Sequence, residues 1–462
     1  MKRGSIVGAA MAVLLAAGVT PAAAQGSRTI VRIKSWLVGR TVIQAICANL
    51  HCQVEQSLDV LPGATGPSSL FLVRNLPAPS WLVNYSLLGI DSVEPDLLAE
   101  LASDDTWYST QATAAVLDQL FDRNPVNYFG TNPWASYLEQ PAASIIGVRE
   151  AHCNLRATGG GTVAVIDTGV DPAHPALASV LNLGYDFTRN VAGGNERADL
   201  DPGVTAELEE VYGVNQATAA VLDQATAAVL DDTALSHFGH GTMVAGAVHL
   251  VAPTSSIMPL KAFGANGAGY TSDIIRAIVY ARLNGANVIN MSFSRNTPSP
   301  EIKRALDDAT DAGMILVASA GNDGVSTPKY PAAYENVISV ASTSNDDVRS
   351  TFSNYGASVW VAAPGEAVIT TYPFGSFAAA WGTSFSTPLV AGAAALLVGF
   401  DAGVDQSGAE AAIASAQPLT PELGNGRLDL VQAVTSGRHI WVDAVQNPVP
   451  DSCSSGVDWF EE

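Results

Sequence analysis

Over its larger part the chain alternates short apolar runs with longer stretches of helical pattern. Thr162-Val163-Ala164-Val165-Ile166, Ala286 to Met291, Ile315-Leu316-Val317-Ala318 and Val337-Ile338-Ser339-Val340 read as buried strands. Helices are predicted at Thr242–Leu250, Thr271–Asn284, Pro300–Ala312 and Pro388–Leu397. From about Ile145 onward this order predicts an α/β fold around a mainly parallel sheet. Each strand runs into Gly, Asp, Ser or Asn, and in open α/β sheets ligands bind beyond those carboxyl ends.

Upstream the pattern changes. Ile30 to Lys34 alternates like a strand, Val42 to Leu50 is helical, and Cys52 to Glu55 and Leu70 to Val73 are strands. Trp81 to Leu88 reads as a helix and Val93 to Asp96 as a last strand. This β-α-β-β-α-β order predicts a small ferredoxin-like α+β unit. Ser103 to Gln140 has no such rhythm, is rich in Asp, Asn and Pro, and reads as a linker. At the start, Lys2 and Arg3 precede an apolar stretch from Ile6 to Val19 and an Ala22-Ala23-Ala24 cleavage signal. That is a secretory signal peptide, so the protein is expected to be secreted or periplasmic. No later stretch reads as long and apolar enough to span a membrane. The organisation expected is therefore 1–24 signal, 25–101 α+β unit, 102–140 linker, 141–436 α/β domain and 437–462 tail. The octamer Gln-Ala-Thr-Ala-Ala-Val-Leu-Asp occurs at 111–118, 216–223 and 224–231, and no function attaches to it.

Composition narrows the partners. Hydrophobic residues make up 48% and charged ones 14% of 462 residues, which suits a folded core, and the net charge of −22 argues against nucleic acid or anionic membranes. Cys47, Cys52, Cys153 and Cys453 allow three disulfide pairings in an oxidising compartment. If the N-terminal segment is removed, Cys153 and Cys453 remain to pair; free buried thiols are the alternative. No Cys/His spacing suggests zinc.

The chemistry gathers where strands and helices meet. In Gly382-Thr383-Ser384-Phe385-Ser386-Thr387-Pro388, a serine stands at the mouth of an apolar helix, where unpaired N–H groups and the helix dipole favour negative charge. It could be a nucleophile or an N-cap. Pro388 is expected to be tolerated because it falls in the first helical turn. Asp167 closes a buried strand, His240 lies between two glycines before a small-residue helix, and Asn322 follows another strand with a neutral donor amide.

The order Asp…His…Ser, with Asn between the last two, resembles that of the subtilisin-like serine peptidases. Asp-Thr-Gly at Asp167, His-Gly-Thr at His240, Ala-Gly-Asn at Asn322 and Gly-Thr-Ser at Ser384 carry the likeness. It extends over roughly residues 128–436. The resemblance implies a three-layer subtilisin-like fold and a secreted serine endopeptidase made as a zymogen. Ser384 would be the nucleophile, His240 the base and Asp167 its orienter, while Asn322 binds the oxyanion. Ser292, Phe293, Ser294 and Gly321 would line the substrate. The α+β unit is similar to the family's inhibitory propeptide, here an intramolecular inhibitor. Protein or peptide substrates, a monomer and no required cofactor follow from the same likeness.

The departures leave alternatives open. Met243 replaces a usual second His, Phe385-Ser386 replaces Met-Ala, and Ser294 replaces a Gly and narrows the specificity pocket. A catalytically weak or inactive pseudopeptidase that binds peptides is the alternative reading. The acidic insertion holding Asp199, Asp201, Glu207, Glu209 and Glu210 reads as a solvated loop, with calcium binding as the alternative. The family's usual calcium site is not expected, since Ala176 stands in place of its acidic ligand and the helix after His240 runs on unbroken. His237 and His174 read as structural, and Asp171 as support for the Asp167 turn.

Overall fold

Two helix starts and three strand ends meet at the carboxyl end of a large parallel sheet, and the rest of the chain holds them in place. The computed structural model describes residues 27–76 apart from Trp36 and Thr65, and residues 89–101, 122–203 and 235–441. The signal sequence, the helix expected at Trp81–Leu88, the octamers, Glu207, Glu209, Glu210 and Cys453 lie outside the described residues.

The N-terminal unit contains β1 (Arg28–Ile33), a helix at Gly39–Leu50, β2 (Gln53–Ser57), β3 (Leu70–Arg74) and β4 (Ile90–Pro95). Its sheet order is β2-β3-β1-β4 with every neighbour antiparallel, as in a split βαβ arrangement. A Cys47–Cys52 disulfide ties the end of its helix to the start of β2. Cys153 is disulfide-bonded as well. A short β5 (Leu98–Glu100) then leaves the unit.

The main sheet takes β6 (Thr162–Asp167), β7 (Tyr185–Asp186), β8 (Val191–Ala192), β9 (Ser256–Lys261), β11 (Val288–Met291), β12 (Ile315–Ser319), β13 (Ile338–Thr343) and β14 (Val361–Pro364). Between them β10 (Ala268–Tyr270) pairs with β5, and β15 (Val368–Tyr372) with β16 (Ser376–Ala380). The order is β14-β13-β12-β11-β6-β9-β7-β8, with β7 and β8 antiparallel and the other described neighbours parallel. After β6 the chain fills one side of the sheet with β7, β8 and β9 and then crosses to the other for β11 to β14, so the strand order switches between β6 and β11. Ligand crevices of α/β sheets form at such a switch.

Side-chain alternation divides the core into two apolar layers. Val163 and Val165 face the helices His240–Val251 and Thr383–Phe400, whereas Ala164 and Ile166 face Thr271–Leu283 and Pro300–Asp311. The result is a three-layer α/β body. The helix Thr383–Phe400 is long and apolar enough to cross a membrane, contrary to the sequence expectation, but it is the body's central helix and 89% of it is buried.

Three expectations are corrected. Residues 122–140 are not a linker: Tyr128 and Tyr137 are fully buried and donate their hydroxyls to Leu250 O and Gly246 O, 2.7 Å each, and Gln140 bridges Tyr137 O and Ile369. Their aromatic anchors have no regular spacing, so no period reveals them. The boundary at 436 falls inside a helix, Leu430–Trp441. The strand β9, with Pro259 inside it, adds to the strands expected from the sequence. Finally, the Ser384 helix begins at Thr383, five residues before Pro388, so Pro388 lies inside it rather than in its first turn.

Three further imidazoles are buried: His152, His174 and, on the helix His240–Val251 itself, His249. His152 Nε2 lies 2.8 Å from Val251 O and His174 Nε2 2.9 Å from Ser376 O, while neither ring nitrogen of His249 has a hydrogen-bond partner among the described residues. Burial pushes His152 and His174 down to about 4 and His249 to about 3. An unfolded chain takes up these protons near 6.5, so the stability that the neutral rings contribute is present above that pH. It falls as the pH drops through about 4. The expected outcome for His249→Leu is an acid-unfolding midpoint at lower pH with no loss of Tm at neutral pH, read by circular dichroism.

Candidate active site

Asp167 ends β6 at the sheet's switch point and is wholly buried. Its Oδ1 accepts from Thr168 N at 2.7 Å and from His240 Nδ1 at 2.6 Å. A carboxylate can only accept, so this contact puts the imidazole proton on Nδ1 and leaves Nε2 with its lone pair. His240 is the first residue of its helix, after Gly239 at φ +96°, a conformation open to glycine.

Ser384 stands at the second position of the long central helix, preceded by Gly382 at φ +137°. Pro388 explains how its backbone is held. A helical residue at 388 would donate its N–H to Ser384 O, but proline has none and its ring crowds that carbonyl. Ser292 Oγ donates to Ser384 O instead, at 2.8 Å, and Ser384 Oγ donates to Ser292 O at 3.2 Å. Asn290 Nδ2 in turn donates to Ser292 Oγ at 2.9 Å. The proline and the serine just past β11 thus form one device that fixes the turn around Ser384. The ring of Phe385 packs 5.5 Å from that of His240, placing Ser384's neighbour directly beside the imidazole.

Asn322 follows β12. Its Oδ1 accepts from Thr383 N at 2.9 Å and Thr383 Oγ1 at 2.7 Å. A backbone N–H can only donate, so the amide oxygen must face Thr383 and Nδ2 points elsewhere. An added Cβ on Gly382 would lie 3.3 Å from that Nδ2, so the donor lies against the turn that leads into Ser384. Gly321, at φ +104°, leaves no room for a side chain against Asn354.

The other expected substrate residues divide. Ser292 and Ser294 lie past the end of β11. The Phe293 side chain is fully buried against Phe263, ring centroids 5.0 Å apart, so only its backbone can meet a ligand. His174 is structural, through Ser376 O. Asp171 accepts from Ala173 N at 3.0 Å and Phe374 N at 2.8 Å, and so fastens the turn after Asp167 to the β15–β16 hairpin. Asp199 is a structural anion, not part of a solvated loop, since it pairs with Lys261 Nζ at 2.6 Å and with Arg189.

The α+β unit reaches this edge. β5 pairs antiparallel with β10, and Leu101 N donates to Gly267 O at 2.9 Å. Asp96 accepts from Ser272 N at 2.8 Å and Ser272 Oγ at 3.0 Å at the start of the helix Thr271–Leu283. Glu94 accepts from Ser299 Oγ at 2.7 Å at the start of Pro300–Asp311.

Residues 158–423, more than half of the chain, match the model of the subtilase family. The chain belongs to the subtilase family. It is 38% identical over 242 residues to a thermophilic serine proteinase of Bacillus sp. (strain AK1), spanning 52% of this chain and about half, 53%, of that protein. It is 34% identical to thermitase of Thermoactinomyces vulgaris over 52% of this chain and 75% of that protein. It is likewise 34% identical to subtilisin BL of Lederbergia lenta, over 57% and 83% of the two chains.

In this subtilase several residues beside the motifs gave no sequence signal. Glu196 is fully buried and accepts from Gly239 N at 2.8 Å and Thr242 N at 3.1 Å at the head of the His240 helix. Lys261, also buried, donates to Thr168 O and Phe263 O at 2.7 Å each. Glu196 comes from a polar segment, Gly194-Asn195-Glu196-Arg197-Ala198-Asp199, whose pattern reads as loop.

Ser292→Ala leaves a buried carbonyl at Ser384 without its donor. The expected cost is about 1–3 kcal/mol of stability, the ordinary penalty for an orphaned buried acceptor. It appears as a lower Tm in calorimetry, and an unchanged Tm would show that the Ser292–Ser384 device does not hold the turn.

Proposed function

We propose that the chain is an exported subtilisin-like serine endopeptidase made as a zymogen. The reading is carried by the Asp167–His240 contact at the head of one helix, with Ser384 at the head of the packed neighbouring helix and Phe385 against the imidazole. Ser384 Oγ attacks the scissile carbonyl and His240 Nε2 takes its proton, then passes it to the leaving amine. Asp167 holds the productive tautomer and stabilises the imidazolium. Asn322 Nδ2 and the backbone N–H at Ser384 receive the oxyanion, aided by the positive end of the helix dipole. The chemistry needs no cofactor.

An extended substrate would pair with the chain edge beside the site, as β5 does with β10. That pairing supports reading residues 25–101 as an inhibitory propeptide laid along the substrate path. His240 and Ser384 are only 1% and 2% exposed in the intact chain, which fits latency. Because the body's core begins at Val126, maturation should cut between Leu101 and Asp122. Substrates are general proteins or peptides, and the signal sequence directs the enzyme out of the cytoplasm.

The test compares wild type with Ser384→Ala, each expressed with its signal and propeptide. Wild type is expected to lose its N-terminal unit, with a new N-terminus between 102 and 122 by sequencing, and to digest casein; Ser384→Ala is expected to stay full length and inert. Two full-length, inert products would instead favour the pseudopeptidase. Asn322→Ala is expected to lower kcat by about 10²–10³, the loss known for the equivalent donor of subtilisin, with KM little changed. A loss confined to KM would remove Asn322 from the oxyanion role.

A further inference from the structure

A second carboxylate sits beside the Asp167–His240 pair, and the hydrolytic roles assigned to the triad and Asn322 do not use it. Four donors surround Glu196. Gly239 N and the Thr168 hydroxyl meet Oε1, and Thr242 N and the Thr242 hydroxyl meet Oε2. The side chain thus caps the helix whose first residue is His240, a helix with no cap of its own from Gly239. It also competes for a proton. The Thr168 hydroxyl has one hydrogen and two carboxylates within reach, Glu196 Oε1 in close contact and Asp167 Oδ1 at 3.3 Å. Its oxygen meanwhile accepts from Gly241 N at 2.8 Å, so the hydroxyl hydrogen can only turn from one acid to the other.

We propose that Glu196 is a positioning residue for the proposed hydrolysis: ionised, it holds the Thr168 hydroxyl proton away from Asp167 and leaves Asp167 Oδ1 to His240. When Glu196 gains a proton, the economical place for it is Oε1. There it donates to Thr168 Oγ1, and the Thr168 hydrogen swings to Asp167 Oδ1, the oxygen that accepts from His240 Nδ1. Asp167 then shares its charge with a second donor and supports the imidazolium less. No covalent bond changes beyond the new O–H at Glu196; one proton arrives from solvent and one hydroxyl rotates.

The surroundings suit a group that titrates in the working range. Burial pushes the Glu196 carboxyl up to about 7, against the pull of the Thr168 and Thr242 hydrogen bonds and of Lys261. The charged or titratable groups around it are Asp167 on β6, His240 at the helix head and Lys261 on β9 with its partner Asp199. Arg197, the next residue, lies 3.8 Å from Asp171. Protonation of Glu196 weakens the site on its own account, so the acid limb of activity should carry one proton more in wild type than in a chain lacking this carboxyl.

The inference rests on the peptidase reading, and the experiment separates the two. Matured wild type, Glu196→Gln and Thr168→Val are titrated with a serine-directed fluorophosphonate, and kcat and KM are then measured per titrated site across pH on a peptide anilide. Wild type is expected to show an acid limb of slope about two, and both variants a slope of about one. Glu196→Gln should lose on the order of 10-fold in kcat at its best pH, short of the ~10²–10⁴ expected of a general base, with KM nearly constant. If Glu196→Gln only lowers Tm or the titratable fraction, and kcat per site and limb slope match wild type, Glu196 is a structural cap and the proposal fails. It fails equally if Thr168→Val keeps the two-proton limb. A wild type that neither titrates nor cleaves would overturn the peptidase reading, and the role of Glu196 with it.

Discussion

Two carboxylates, Asp167 and Glu196, are buried within one hydroxyl's reach of each other, and much of the site's construction answers that constraint. An ionised group taken out of water is tolerable only when donors and opposite charge replace the lost hydration. For Asp167 they are Thr168 N and His240 Nδ1; for Glu196 they are the unpaired N–H groups of the His240 helix and two threonine hydroxyls. Lys261, anchored on Thr168 O and Phe263 O, adds the compensating cation. The helix start therefore serves twice, presenting the imidazole and neutralising the acid beside it.

The same solution recurs at the two helices on the other face of the sheet. Thr271–Leu283 has no side-chain cap from Tyr270, and Asp96 supplies it from the N-terminal unit. Pro300–Asp311 is capped by its own Ser299, and Glu94 binds the Ser299 hydroxyl and accepts from Glu301 N in the first turn. In each case a carboxylate distant in sequence satisfies donors that a helix start leaves open. The difference lies in where the acid is anchored. Glu196 belongs to the body, whereas Glu94 and Asp96 belong to the N-terminal α+β unit.

The sequence made the candidate site's residues legible where backbone geometry demanded particular residues. Glycines beside His240 and before Ser384 occupy conformations or close contacts that other residues resist, so those positions stood out as short motifs. The apolar runs of β6, β11, β12 and β13 were legible because strands covered on both faces have few polar interruptions. What stayed hidden depends on contacts distant in sequence. Glu196 lies 43 residues before Gly239, in a stretch whose polarity reads as loop, and only the fold shows that it is buried. Residues 122–140 likewise looked like a linker because Tyr128, Tyr137 and Gln140 reach their partners 109 to 229 residues away.

Pro388 shows why local rules mislead at such a site. By helix propensity it should mark a first turn, since proline inside a helix costs about 3 kcal/mol or more. Here the cost is partly offset, because the carbonyl that loses its helical donor is that of Ser384, and Ser292 Oγ takes the donor's place. The exchange replaces a bond along the helix with one to the neighbouring strand end. The turn bearing Ser384 is thereby tied to β11, whose partner β6 carries Asp167. A residue unfavourable to its own helix therefore couples the serine to the sheet that holds the acid and, through it, the imidazole.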